Sequence, residues 1–164
     1  MDGAFGLVFG RSLNEILLVK RRDVPVWVVP GGGIEKNETP EEAVVREIFE
    51  ESGYRIKVRK EIARYIYRKS KKINYLFDCK IISGKPTTSS ESKDVRFFSI
   101  KTLPETIDPL VSYYIDDHLR NSPKIIERTA PPINYSKIMF NNLFKHPTII
   151  FRYLLKKIGL RINL

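Results

Sequence analysis

Glu47, Glu50 and Glu51 are the residues of this chain best suited to chemistry. On a helix the spacing i, i+3, i+4 puts all three carboxylates on one face. Three carboxylates together form an all-oxygen ligand set. Magnesium and manganese favour such sets, and they keep waters or substrate phosphates in the rest of their shell. The plainer alternative is a solvated acidic face. Two features weigh against it. Glu50 and Glu51 fall in the last turn of the expected helix, where the helix dipole disfavours negative charge. The run Gly31-Gly32-Gly33 lies just upstream, ready to approach anionic groups closely.

The helix that must carry these acids is legible from its ends. Thr39 is a good N-cap, Pro40 suits the first helical position, and Glu42 completes a capping box with Thr39. Ala43, Val44 and Ile48 form an apolar side, and Gly53 suits a left-handed C-terminal cap. The pattern predicts a helix over Pro40 to Ser52.

Read together, Gly32 to Tyr54 resembles the Nudix box, G-x5-E-x7-R-E-U-x-E-E-x-G-U, with U a bulky apolar residue. Gly32, Glu38, Arg46, Glu47, Ile48, Glu50, Glu51 and Gly53 occupy its fixed positions, and Tyr54 takes the last U position, where an aliphatic residue is more usual. The approach Trp27-Val28-Val29-Pro30-Gly31-Gly32-Gly33 is also similar to the family's. Asn37 stands where glycine is frequent, and asparagine tolerates positive φ.

The resemblance implies a fold of the α+β or α/β kind: an α/β/α sandwich around a mixed sheet. It implies Mg2+ or Mn2+ held by Glu47, Glu50, Glu51 and the carbonyl of Gly31. Glu38 and Arg46 would orient the helix. Glu47, Glu50 and Arg46 would form the catalytic group, with Glu47 one candidate for general base and a later loop the other. The implied reaction is hydrolysis of a pyrophosphate bond in a nucleoside diphosphate linked to a group X. RNA 5′-end hydrolysis and a non-hydrolytic binding role are the alternatives.

Other residues have expected places around that centre. Glu91, preferred over Asp94, lies before a strand that resembles the family segment bringing a further acid to the metal. Arg21 and Arg22 follow Lys20 at a strand end and, with Gly32, are candidates for substrate phosphate contacts. Trp27, Tyr65 and Tyr67 could stack on a base, but core packing is the ordinary role of each.

Strand patterns fall at Ala4 to Phe9, Glu15 to Lys20, Val26 to Val29, Arg55 to Tyr67, Ile73 to Ile82 and Val95 to Ile100. A second helix is expected over Ile107 to Leu119. These elements make up a domain over residues 1–120. Beyond it, residues 121–164 read as a connection followed by two helical segments, Ser136 to Lys145 and Thr148 to Gly159. In the second segment Ile150, Phe151, Leu154, Leu155 and Ile158 form an apolar stripe flanked by Arg152, Lys156 and Lys157. Packing on the same chain or on a second copy is favoured for it, and an anionic membrane surface is the alternative.

Composition sets outer bounds. With 164 residues the chain is about one domain long. No apolar run is long enough to span a bilayer, and a cytoplasmic protein is expected. Cys79 is the only cysteine, which excludes an internal disulfide and cysteine metal clusters. The net charge is +10, and it is uneven: +8 over residues 55–72 and +7 over residues 124–164. The acidic centre thus sits in a basic chain, a field that attracts polyanionic small molecules and also RNA. Pro30 is followed by Gly31 rather than the lysine typical of dinucleoside polyphosphate hydrolases. The specific nucleotide is not encoded in any motif.

Overall fold

A computed structural model of the protein describes residues 1–133 apart from Arg11, Leu13 and Pro25. The two helical segments expected beyond Ser136, with their proposed packing, dimer or membrane roles, lie outside the described residues.

The element order is β1 (Gly3–Val8), β2 (Glu15–Arg21), β3 (Trp27–Val28), β4 (Gly31–Gly33), α1 (Pro40–Ser52), β5 (Tyr54–Tyr67), β6 (Lys72–Gly84), β7 (Ser92–Ser99), α2 (Leu110–Leu119) and β8 (Ile126–Thr129). A five-stranded mixed sheet runs β4-β1-β6-β5-β8, and a three-stranded antiparallel sheet runs β3-β2-β7. Strand β1 is parallel to β6 and antiparallel to β4. The β5–β6 hairpin is long, and register shifts interrupt it at three points.

Two apolar layers explain the sandwich. Ala4, Val8, Leu17, Val19, Phe77 and Cys79 pack with Val44 and Ile48 of α1. Leu7, Phe9, Ile16, Leu18, Trp27 and Tyr65 pack with Val111, Tyr114 and Ile115 of α2. Successive residues of β2 therefore enter opposite layers, and this is why Ile16 to Val19 form an unbroken apolar run. The helices cover opposite sides of the strands, which is the expected α/β/α arrangement. Trp27 and Tyr65 are core residues, with Trp27 packed edge-on against Phe98 and Tyr65 against Tyr114. Cys79 is buried and free, and burial raises its thiol pKa. No described helix is long and apolar enough to cross a membrane.

Three elements differ from the sequence reading. Gly31–Gly33, expected as loop, forms a strand with Gly3 to Phe5. The second helix starts at Leu110 rather than Ile107, because Ile107 is bridged to Trp27 and Pro109 sits at the helix entry. Residues 126–129, expected as connection, form β8 parallel to Ala63–Ile66 of β5. The main sheet therefore extends past residue 120.

Candidate active site

Helix α1 is built as its sequence predicts. Thr39 Oγ1 accepts from the Glu42 N–H, and the Glu42 carboxylate accepts from the Thr39 N–H at 2.8 Å, so the capping box is reciprocal. Gly53 ends the helix at φ 75°, with its N–H donating to the Phe49 carbonyl. No basic residue occupies the last turn. Asn37 adopts φ 68° in the turn before the helix.

Arg46 is the hub of the acid cluster. Its Nε and Nη2 donate to Glu38 at 2.8 and 2.9 Å, and Nη2 also donates to the Gly33 carbonyl at 3.0 Å. Its Nη1 reaches Glu47 at 2.9 Å and Glu50 at 3.3 Å. Arg46 thereby ties the start of the helix, the glycine strand and two of the expected ligands together. Hydrogen bonds from Arg46 and the Glu35 N–H hold the Glu38 carboxyl down at about 2.

Glu51 faces inward from the last turn. It is 6% exposed, and its Oε2 accepts from the Gly31 N–H at 2.9 Å. Burial pushes its carboxyl up to about 7; the Gly31 hydrogen bond offsets part of this, and the charges of Glu47 and Glu91 add to it. Burial likewise raises Glu47 against the pull of Arg46. Glu50 is the exposed member of the three.

The glycines are where the helix and strands meet most closely. A Cβ on Gly32 would lie 2.5 Å from the Glu47 carboxylate. One on Gly31, at φ 147°, would collide with the Ala4 carbonyl of β1. The contact made by Gly31 within the acid cluster is through its N–H.

Glu91 approaches from the loop before β7, and its charge is felt by Glu47, Glu51 and Arg21. Asp94 is instead committed to Arg96 at 2.7 Å. Arg21 forms a two-pronged pair with Asp23, both contacts at 2.8 Å, and feels the charges of Glu51 and Glu91. Arg22 reaches the loop before β7, its Nε donating to the Ser89 carbonyl at 2.8 Å. The structure thus brings Arg46, Glu47, Glu50, Glu51, Gly31, Gly32 and Glu38 together, with Glu91 and Arg21 beside them. Ser89 and Ser92, which shape the Glu91 loop, carry no signal in the sequence beyond a run of turn-forming hydroxyls.

Among the described residues no three acidic, histidine or cysteine side chains converge as a ready cation cage. The chemistry of the donors still suits a hard divalent cation. Beyond burial, the charges of Glu50 and Glu91 raise the proton affinity of Glu47, and those of Glu47 and Glu91 raise that of Glu51, as expected where carboxylates crowd together.

The NUDIX domain family matches residues 2–117 of this chain. The chain belongs to the Nudix family. A Bacillus subtilis relative named "Putative 8-oxo-dGTP diphosphatase" is 38% identical over 117 residues, 71% of this chain and 78% of that protein. An ADP-ribose pyrophosphatase of Methanocaldococcus jannaschii is 36% identical over 99 residues, 56% of this chain and 59% of that protein. A crystal structure of a UDP-X diphosphatase shares the fold with TM-score 0.65 at 24% identity, over 77% of this chain and 66% of that one. As a Nudix member, the protein carries its family box on the helix and glycine strand described above.

Proposed function

We propose that this Nudix protein is a divalent-metal-dependent pyrophosphohydrolase acting on a nucleoside diphosphate derivative. The observation that carries the reading is the Arg46-centred cluster of Glu47, Glu50 and Glu51 against the glycine strand. The named activities of the relatives, on 8-oxo-dGTP and ADP-ribose, point to the same bond type in different substrates. Mg2+ or Mn2+ would be held by Glu47, Glu50 and Glu51, with the Gly31 carbonyl and Glu91 as further ligands.

A divalent cation bound there supplies charge neutralisation of the pyrophosphate and a lowered pKa of the attacking water. The chain's own residues do the rest. Arg46 holds Glu47 and Glu50 in register, and Glu38 holds Arg46. Glu47, held by the Arg46 guanidinium at 2.9 Å, accepts the proton of the attacking water. Arg21, beside the acids, contacts the substrate phosphates, and Gly32, lacking a side chain, leaves room for the Glu47 carboxylate against the glycine strand.

The test is product release from a panel of nucleoside triphosphates, nucleotide sugars, ADP-ribose and 5′-triphosphorylated RNA, with metal and with chelator. The RNA arm tests the exposed basic row Arg55, Lys57, Arg59 and Lys60 on β5. Glu50→Gln and Glu51→Gln are expected to lower turnover at least about 100-fold, with far-ultraviolet circular dichroism unchanged. Full activity in both variants would overturn the metal assignment.

A further inference from the structure

The four C-terminal carbonyls of a helix have no partner within it. In α1 the loop before β7 and the first residue of β7 supply partners for two of them. The Thr87 N–H donates to the Ser52 carbonyl at 2.9 Å, and the Ser92 hydroxyl donates to the Glu51 carbonyl at 2.6 Å. Ser92 is 1% exposed, so this hydroxyl bond is shielded from competing water.

The same serine closes a small turn. Ser92 Oγ accepts from the Ser89 N–H at 2.9 Å, and Ser89 Oγ accepts from the N–H groups of Glu91 and Ser92, both at 3.1 Å. The residue just after strand β2 holds the turn from its other side. The Arg22 N–H donates to the Glu91 carbonyl at 2.9 Å, and the Arg22 guanidinium donates to the Ser89 carbonyl. Glu91 itself is exposed, but its backbone is held at both N–H and carbonyl. The loop acid and the helix acids therefore do not float independently. A shift of α1 at Glu51 carries Ser92, and with it Glu91.

We infer that Ser92, together with Ser89 and Arg22, is a positioning residue that fixes Glu91 relative to Glu47 and Glu51 through the last turn of α1. This rests on the metal-dependent reading above for its consequence, but its geometry is separate. It also gives Arg22 a task besides substrate contact: its N–H and guanidinium anchor the loop, while Arg21 feels the charges of Glu51 and Glu91.

The test is a double-mutant cycle in the full chain, with Ser92→Ala, Glu91→Gln and the pair. Two quantities are read: kcat with KM for the best substrate of the panel, and Mn2+ affinity by calorimetry without substrate. Ser92→Ala is expected to lower kcat and weaken Mn2+ on the order of fivefold, with KM moved less than about twofold. In the Glu91→Gln background the same change is expected to shift neither quantity by more than about twofold, because its route of action is gone.

A purely structural serine would give losses that multiply across the pair, and that result overturns the inference. So does a Glu91→Gln variant that binds Mn2+ and turns over like the unaltered protein. Should Ser92→Ala fail to fold, Ser89→Ala breaks the turn at a partly exposed position, and the same cycle applies. Absence of turnover across the whole panel defeats the hydrolase reading alone, since the Mn2+ cycle still decides whether Ser92 acts through Glu91.

Discussion

At the scale of single residues, Glu51 is where stability and function pull apart. Its carboxyl is pushed up to about 7 by burial, well above the ordinary 4.5. A raised carboxyl means that the folded protein holds a proton which the unfolded chain has already released. Folding is therefore favoured below this window, and the benefit is lost as pH rises from about 4.5 to about 7. At about 1.4 kcal/mol per pKa unit the loss is about 3 to 4 kcal/mol in the metal-free protein. Glu38 acts in a lower window and with the opposite sign: its stabilisation is present above its unfolded value and is lost as pH falls toward about 2. His118, lowered by burial, also opposes Glu51, since its contribution is lost as pH falls below its ordinary value. The clean observable is a difference. Melting temperature measured in chelator across pH 4.5 to 7 should fall more steeply for the native sequence than for Glu51→Gln. Parallel curves would mean that Glu51 is not strained by its burial. These acids were legible in the sequence because their spacing and poor dipole placement are local facts. Burial of Glu51 and exposure of Glu50 were not, because they depend on which side of the last turn meets Gly31.

At the scale of elements, the site is a helix laid against a glycine strand. The two central glycines do different work there. At Gly32 an added methyl meets the far end of the Glu47 side chain, which can swing away. At Gly31 it meets the backbone of β1, and the backbone angle itself excludes most side chains. Gly32→Ala should therefore keep stability within about 1 kcal/mol while turnover falls at least about tenfold, through displacement of Glu47. Gly31→Ala should lose about 2 kcal/mol or more whatever it does to turnover. Thermal melts and steady-state rates on the two variants separate these effects, and equal stability losses in both would refute the distinction. Helix α1 could be read to the residue because caps, proline and glycine encode its ends. Strand β4 could not, since three glycines carry no strand preference. They pair with Gly3 to Phe5 because nothing protrudes to prevent it.

At the scale of the whole molecule, the fold is closed by a contact among three distant segments. Asp117 of α2 is fully buried and accepts from the Tyr65 hydroxyl of β5 at 2.5 Å. Arg128 of β8 lies 3.1 Å from its other oxygen, as an ion pair outside hydrogen-bond geometry, and over the Tyr65 ring. Arg120 stands further off at 3.8 Å. No local pattern announces this, because Ile126–Thr129 reaches β5 by a parallel pairing across sixty-three positions of sequence. A boundary drawn at residue 120 would leave Asp117 without its nearest cation and β5 with an open edge. Arg128→Met keeps much of the apolar stem and removes the charge. Uncovering a buried carboxylate in this way is expected to cost about 3 kcal/mol, a melting temperature lower by roughly 6–12 °C. Adding Asp117→Asn to Arg128→Met removes the stranded charge and should recover part of the loss, since the penalty lies in the unpaired ion rather than in the missing pair. If Arg128→Met melts with the native protein, β8 is only an ornament on the sheet edge. If it melts low and the second change restores it, residues beyond 120 belong to the folding unit that holds α2 over the sheet.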